Sequence, residues 1–144
     1  MRILAIAASA AMILTSLVAT AGADPIADRK ANMKARGAQM QVLAPIAQGK
    51  NPFDAAAVQA ALQKLNDLSK VDVDALWPAG SDKGDTKSSP KIWQDMAGFK
   101  AAHAKFAADT EAAVSAKPAD LAAFQAVFGP VAGNCGACHQ AYRM

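Results

Sequence analysis

The last ten residues contain the side chains whose types and spacing are best suited to chemistry. Cys135 and Cys138 are the only two cysteines in the chain, and His139 directly follows the second. In Cys-x-x-Cys-His, two thiols can add to the vinyl groups of a porphyrin, and the histidine can give the iron an axial nitrogen. Helical residues three apart share a face, so both sulfurs can reach one edge of a flat macrocycle. The motif predicts one covalently attached haem c per chain.

Two other chemistries fit parts of this motif. A Cys-x-x-Cys pair can serve as a thiol–disulfide couple, which makes a haem-free helical dithiol module an alternative, but such pairs normally lie beside a βαβ pattern. A structural zinc ion needs four ligands, whereas the motif supplies three. His103, the other histidine of the chain, would have to be the fourth.

The N-terminus predicts export. Arg2 is followed by an apolar stretch over residues 3–18, and Ala21-Gly22-Ala23 fits the small-x-small cleavage rule, as does a site two residues earlier. We therefore expect residues 1–23 to be a signal peptide, residues 24–144 to be one mature domain, and the location to be the periplasm. We expect that no later segment is long and apolar enough to span a membrane.

The remaining composition favours packed helices and no nucleic-acid partner. The chain is rich in Ala, only 6% of its residues are aromatic, and its lysines are scattered rather than arranged in a stripe. Residues 25–48 have an alternating four-then-three apolar spacing that includes Met33 and Met40, with Pro45 expected to kink or end the helix. The outward side of this first segment is polar, with Lys34, Arg36, Gln39 and Gln41.

Three further helical segments follow. Asn51 and Pro52 predict the start of a helix that runs to about residue 70. Residues 71–89 lack a helical period and predict a long crossing, with Leu76-Trp77-Pro78 tucked against the helices. The third helix should open at Ser89-Pro90 and end near residue 116, with His103 facing inward. The fourth should follow Lys117-Pro118 and continue to the end of the chain, with a kink or break at Gly129-Pro130.

Four amphipathic segments of this kind predict an all-α protein, an antiparallel up-down four-helix bundle. The apolar spacing of the fourth segment includes both cysteines, which should face the same interior as its phenylalanines. The haem would then be held inside the bundle by the C-terminal helix.

With the haem motif at its C-terminal end, the chain resembles the class II c-type cytochromes, the cytochrome c′ family. Three stretches carry the resemblance, which covers essentially the whole mature chain. They are Arg29-x-x-x-Met33 followed by Gly37, Pro90-Lys91-Ile92-Trp93, and Phe128-Gly129 to Arg143. Pro130 departs from the usual family sequence and leaves the entry angle of the haem helix open.

The resemblance implies one of two iron sites. In cytochrome c′ proper the sixth position is vacant and the iron binds small gases, nitric oxide above all. In the low-spin members, called cytochrome c-556, a methionine near the start of the first helix closes that position. Met33 occupies that place here, and Met40 is the first substitute. The resemblance also implies that Arg29 and Arg143 pair with haem propionates or lie near His139, and that Phe124 and Tyr142 pack against the porphyrin.

The resulting expectation is a periplasmic electron carrier with a low-spin His139/Met33 haem c and no enzymatic activity. The alternative is a five-coordinate protein that binds nitric oxide or carbon monoxide. Expected partners are transient redox proteins, and the chain is expected to be a monomer or a homodimer.

Overall fold

The computed structural model describes residues 24–144, so the predicted signal peptide lies outside the described residues. Within that range the chain is helical, with no β-strand beyond one isolated bridge between Ser88 and Arg143. The helices are α1 (Pro25–Ala47), α2 (Ala55–Ser69), α3 (Val73–Leu76), α4 (Lys91–Gln94), α5 (Met96–Ala116) and α6 (Leu121–Tyr142).

The four long helices form the predicted four-helix bundle. Helix α1 packs on α2, α2 on α5, α5 on α6, and α6 again on α1, so the contacts close a ring. Within this ring lies a core of almost fully buried aliphatic and aromatic side chains contributed by all four helices. Burial of this apolar surface is the main force that holds the bundle together.

Aspartate side chains begin these long helices. Asp24 accepts hydrogen bonds from Ile26 N and Ala27 N at 3.0 and 3.1 Å. Asp120 accepts one from Ala123 N at 2.8 Å. The predicted start of α2 at Asn51 and Pro52 is wrong, because Asp54 caps that helix by accepting bonds from the amides of its first turn at 2.9 and 3.0 Å.

Two prolines lie inside long helices. Helix α1 contains Pro45 and ends two residues later at Ala47, close to the predicted end, whereas α6 passes through Pro130 without a break. A kink or a break was expected at residues 129–130; the break is wrong, and the kink stays a prediction. Phe128 and Val131 flank Pro130 and are both buried, and this packing outweighs the one hydrogen bond that a proline removes.

A break occurs instead in the third predicted segment, which is divided into α4 and α5. Asp95 has φ −135° and ψ 56°, and its side chain accepts a hydrogen bond from Gly98 N at 3.0 Å to start α5. The same carboxylate accepts a bond from the Tyr142 hydroxyl at 2.9 Å. This break therefore ties the start of α5 to the end of α6.

The long connection after α2 folds over one end of the bundle, as predicted. Trp77 is 5% exposed and its ring meets Phe99 edge-on, with centroids 4.8 Å apart. Backbone bonds from Ser89 N to Tyr142 O and from Met144 N to Lys87 O, each 2.9 Å, attach the connection to the C-terminus. The chain is thereby pinned around the last turn of α6.

Helix α6 is long and apolar enough to span a membrane, when judged by length and composition alone. The expectation that no segment after the signal peptide could do so is therefore wrong on that criterion. The reason is that residues 121–142 contain no Asp, Glu, Lys or Arg. In this structure α6 packs against α5 and α1 as a member of the bundle.

Candidate haem site

The Cys-x-x-Cys-His motif lies on the last two turns of α6. Cys135 and Cys138 are half-buried free thiols, and His139 beside them is exposed. Burial raises the pKa of both thiols, and the nearby Arg36 guanidinium partly offsets that rise. Burial and then the charge of Arg143 lower the pKa of His139. The three groups therefore favour their neutral forms: two thiols and an imidazole with a free nitrogen.

Two cavities open in front of this motif. The first has a volume of about 190 Å³ and the second about 450 Å³. Both are lined by Cys138 and His139 of α6, which makes the two cavities neighbours at the motif. The other side chains that they share are Met33, Trp77 and Phe99.

Helix α1 places both candidate methionines in this region, but in different surroundings. Met33 lines both cavities, as His139 does, and packs against the cluster of Trp77, Ile92, Phe99 and Tyr142. Met40 lines the first cavity alone and packs against the central core of the bundle. Met33 is therefore the methionine that shares the whole of the cavity region with His139.

Arg29 is held by the long connection. It is 3% exposed, and its terminal nitrogens donate hydrogen bonds to Ser81 Oγ at 2.9 Å, Ser81 O at 2.6 Å and Thr86 Oγ1 at 2.9 Å, with a longer one to Leu76 O. Its guanidinium also lies over Trp77 and Trp93. Arg29 lines the second cavity while it clamps the connection, and a contact with a haem propionate stays a prediction.

Tyr142 and Arg143 also line the second cavity, at the end of α6. Tyr142 is 8% exposed and its ring meets Phe99 edge-on at 5.2 Å between centroids. Arg143 is exposed and follows the motif by four residues. Both residues lie at the cavity that reaches the motif, and their contact with a porphyrin stays a prediction.

Phe124 lies elsewhere. It lines neither cavity, and its ring stacks on Phe128 at 5.1 Å and tilts against Phe53 at 6.3 Å in the central core. It precedes Cys135 by three turns of α6, about 16 Å along the helix axis. The expected packing of Phe124 on the porphyrin finds no support in this geometry, because inward-facing residues of one long helix serve different ends of the bundle.

Arg36 is the main participant that sequence reasoning missed, having been assigned to the polar outward side of α1. It lines the first cavity, where Nη2 donates to Leu68 O at 2.7 Å and lies 3.1 Å from His103 Nε2. Its guanidinium covers the Phe106 ring at 4.8 Å. A signal was present, since Arg36 is three residues after Met33 and four before Met40 and so shares their face.

His103 faces inward as predicted, and its neutral ring accepts a hydrogen bond from Arg36 at Nε2. Burial, and then the charge of Arg36, lower its pKa to about 4. The described part of the chain contains no group of three or more His, Cys, Asp or Glu side chains placed to hold a metal ion. His103 therefore does not complete a zinc site with the motif.

The lining fits a haem. Two thiols and an imidazole lie on one side, Met33 reaches the cavities from α1, and Trp77 and Phe99 supply flat apolar walls. Cationic side chains suited to two carboxylates line the second cavity. In addition, the buried Nε atoms of Arg29 and Arg36 have no hydrogen-bond partner among residues 24–144.

Comparisons with known proteins agree with this chemistry. The family model for cytochrome c′ matches residues 24–143. A cytochrome c-556 of Agrobacterium tumefaciens (strain apple 185) is 40% identical over 116 residues, covering 81% of this chain and 91% of the relative. A cytochrome c′ of Rhodopseudomonas palustris is 41% identical over 133 residues, covering 92% and 90% of the two chains.

A solved structure of cytochrome c′ from Rhodopseudomonas palustris has the same architecture. The two folds superpose with a TM-score of 0.79 at 41% sequence identity, over 85% of this chain and 97% of that one. The family match over residues 24–143 includes the C-terminal helix that bears the motif. This chain belongs to the cytochrome c′ family, and its cofactor is haem c.

Proposed function

We propose that this protein is an exported electron carrier in which Cys135 and Cys138 tether haem c and His139 and Met33 ligate its iron. The observation that carries the proposal is the shared position of Met33 and His139. They project from α1 and α6, and both line both cavities. The resemblance of residues 29–37 to the low-spin members of the family supports the same ligand pair.

When bound, haem c supplies a reversible one-electron couple between ferrous and ferric iron. The chain's residues adjust that couple. A Met33 thioether is a soft donor that favours the reduced state. Apolar walls such as Trp77, Phe99 and Phe106 lower the local dielectric, which disfavours the additional charge of the oxidised state.

The same ligand pair keeps the site rigid. Met33 is fixed by packing against the aromatic cluster, and α6 is fixed at its end by the hydrogen bond from Tyr142 to Asp95. Two protein ligands on rigid helices would keep their places in both oxidation states. Little reorganisation would then oppose the movement of an electron.

Export is part of this proposal. Residues 1–23 have the charge, the apolar stretch and the small residues of a signal peptide. The family match begins at residue 24, directly after that stretch. We expect the mature protein to begin near Asp24 and to act in the periplasm with transient redox partners.

The second candidate function is gas binding at an open sixth position. The first cavity continues past Met33 along α1 to Gly37 and Met40, which leaves space beside the proposed ligand. The relatives include proteins of both names, cytochrome c-556 and cytochrome c′. This candidate requires Met33 to be packing or an easily displaced ligand.

Optical spectra of the purified holoprotein, ferric and ferrous, test the two functions. An electron carrier with two protein ligands should give low-spin spectra that carbon monoxide does not change. High-spin spectra that shift rapidly with carbon monoxide would replace it with the gas-binding function. The mass of the denatured protein tests attachment, since a mass equal to the bare polypeptide would contradict both and favour the haem-free dithiol module.

A further inference from the structure

The charged side chains that line the second cavity are all cationic. Residues 24–144 hold fourteen of the chain's fifteen Lys and Arg side chains, because Arg2 alone precedes them, and all twelve Asp and Glu. The lining of the second cavity includes five of those cations and none of the acids. The five are Arg29, Lys30, Lys34, Lys87 and Arg143.

Two of the five are already occupied. Arg29 is buried and clamps the long connection, and Lys30 forms an ion pair with Asp85. Lys34, Lys87 and Arg143 are exposed, and none of their side chains makes an ion pair within 4.0 Å in the described range. They come from α1, the long connection and the end of α6, so three separate elements bring unpaired positive charge to one opening.

The carboxylates of a bound haem could neutralise only part of this positive charge. A haem has two propionates, which can pair with two of the five cations. A positive excess would remain at an opening that is also lined by Cys138 and His139. The rest of the described chain carries an excess of acidic side chains, nine cations against twelve acids. The charge is therefore asymmetric, with its positive side at the cavity that reaches the haem motif.

We propose that Lys34, Lys87 and Arg143 form a docking surface for an electron-transfer protein with an acidic face, which exchanges electrons at this opening. The inference rests on the proposed electron-carrier function and adds the site and the charge of the partner. Complementary charge increases the rate of encounter by about 10- to 1,000-fold at low salt. It does so without a large apolar interface, which suits a transient complex that must separate after one electron has moved.

Voltammetry of the holoprotein on gold electrodes tests this surface, because a carboxylate-terminated monolayer imitates an acidic protein face. At about 10 mM ionic strength the screening length is about 30 Å, so charges on the protein and on the monolayer interact strongly. The voltammetric wave of the haem should then be strong on the carboxylate-terminated monolayer and weak on an ammonium-terminated one. It should collapse on carboxylate near 1 M salt, where the screening length is about 3 Å. The double variant Lys34→Glu/Lys87→Glu should lose about tenfold or more of the electron-exchange rate on carboxylate at low salt.

The matched control is Lys50→Glu/Lys64→Glu, which makes the same change in net charge. Lys50 follows α1 and Lys64 lies on α2, and both are exposed and absent from the cavity linings. An equal loss in this control, or full retention in the first variant, would overturn the docking surface and leave the electron-carrier function intact. Absence of electron exchange on both monolayers and with small soluble mediators would overturn both proposals. If the double variant does not assemble with haem, Lys34→Gln and Lys87→Gln, each measured alone, give the same comparison.

Discussion

The two ends of the bundle are built differently. At the closed end, Leu43, Val58, Leu62, Phe124 and Val131 are each 0% exposed, and aromatic rings stack on one another. At the other end, a smaller cluster of Trp77, Ile92, Phe99 and Tyr142 lies beside two cavities. The closed end is completed by its own apolar side chains, whereas the open end lines two cavities with apolar side chains and, at the second cavity, with five cationic ones.

Polar contacts compensate for this difference. The open end is joined by the four hydrogen bonds of Arg29, by the bond from Tyr142 to Asp95 and by the backbone bonds between residues 87–89 and the C-terminus. Such bonds fix geometry around a space that apolar packing does not fill. Substitutions at the closed end should therefore lower stability with little effect on the haem bands, whereas substitutions at the open end should also change those bands.

The largest effect should follow from the loss of both thiols. Cys135→Ser/Cys138→Ser removes the proposed tethers, and we expect essentially all covalent haem to be lost. The mass of the denatured protein gives the result directly. Retention of one haem mass in the variant would show that other residues attach it and would remove the basis of the site.

Phe124→Ala should affect the closed end alone. Truncation of a fully buried Phe typically costs about 3–5 kcal/mol of the free energy of unfolding, because a cavity remains. Chemical denaturation of the holoprotein measures this loss. The absorption spectrum and haem content of the folded variant should match the wild type, and a change in the haem bands would place Phe124 near the porphyrin after all.

Gly98→Ala should affect the open end through a close approach. A Cβ at Gly98 would overlap the Asp95 carboxylate and lie 2.7 Å from the Tyr142 hydroxyl, so these two groups must shift and we expect their hydrogen bond to weaken or break. We expect a loss of about 1–3 kcal/mol in unfolding free energy, together with altered haem bands because Tyr142 lies on the motif helix. Gly129→Ala is the control, since its Cβ would meet nothing within 4 Å. Equal stability of the two variants would contradict the prediction.

The smallest effect should be a change in acid sensitivity at His103. Its pKa in the folded protein is about 4, against about 6.5 in an unfolded chain, so the unfolded state takes up the proton first. Stability should therefore fall as the pH drops from about 6.5 to about 4. His103→Gln should make that fall shallower in thermal unfolding of the holoprotein, with little change at pH 8. Identical profiles would show that His103 does not titrate across this range.

Much of the bundle follows from the sequence, because apolar spacing and cysteine spacing are local signals. They were sufficient for four long helices, for the position of the motif at the end of α6 and for the inward orientation of Met33 and His103. The residues that indicate where a helix begins were less reliable guides. Asn51-Pro52 resembles a helix start, but the carboxylate of Asp54 caps α2.

The parts that were missed depend on contacts between distant segments. Arg36 is polar and was assigned to the solvent side, yet Leu68 O, His103 and the Phe106 ring hold its guanidinium in the cavity. Phe124 shares the inward face of α6 with the cysteines, but periodicity gives a direction around a helix and not a position along the bundle. Lys34, Lys87 and Arg143, which form no ion pair within residues 24–144, come from three elements that only folding brings together at the second cavity.

Two methionines on the same helix allow a direct test of iron ligation by Met33. Met33→Ala and Met40→Ala remove similar volumes from α1, but only Met33 lines both cavities with His139. Absorption spectra of the ferric and ferrous variants, with and without carbon monoxide, report the iron's ligands. Met33→Ala should become high-spin and bind carbon monoxide, while Met40→Ala should keep the low-spin, carbon monoxide-insensitive spectra of the wild type. A Met33→Ala protein with wild-type spectra would contradict ligation by Met33.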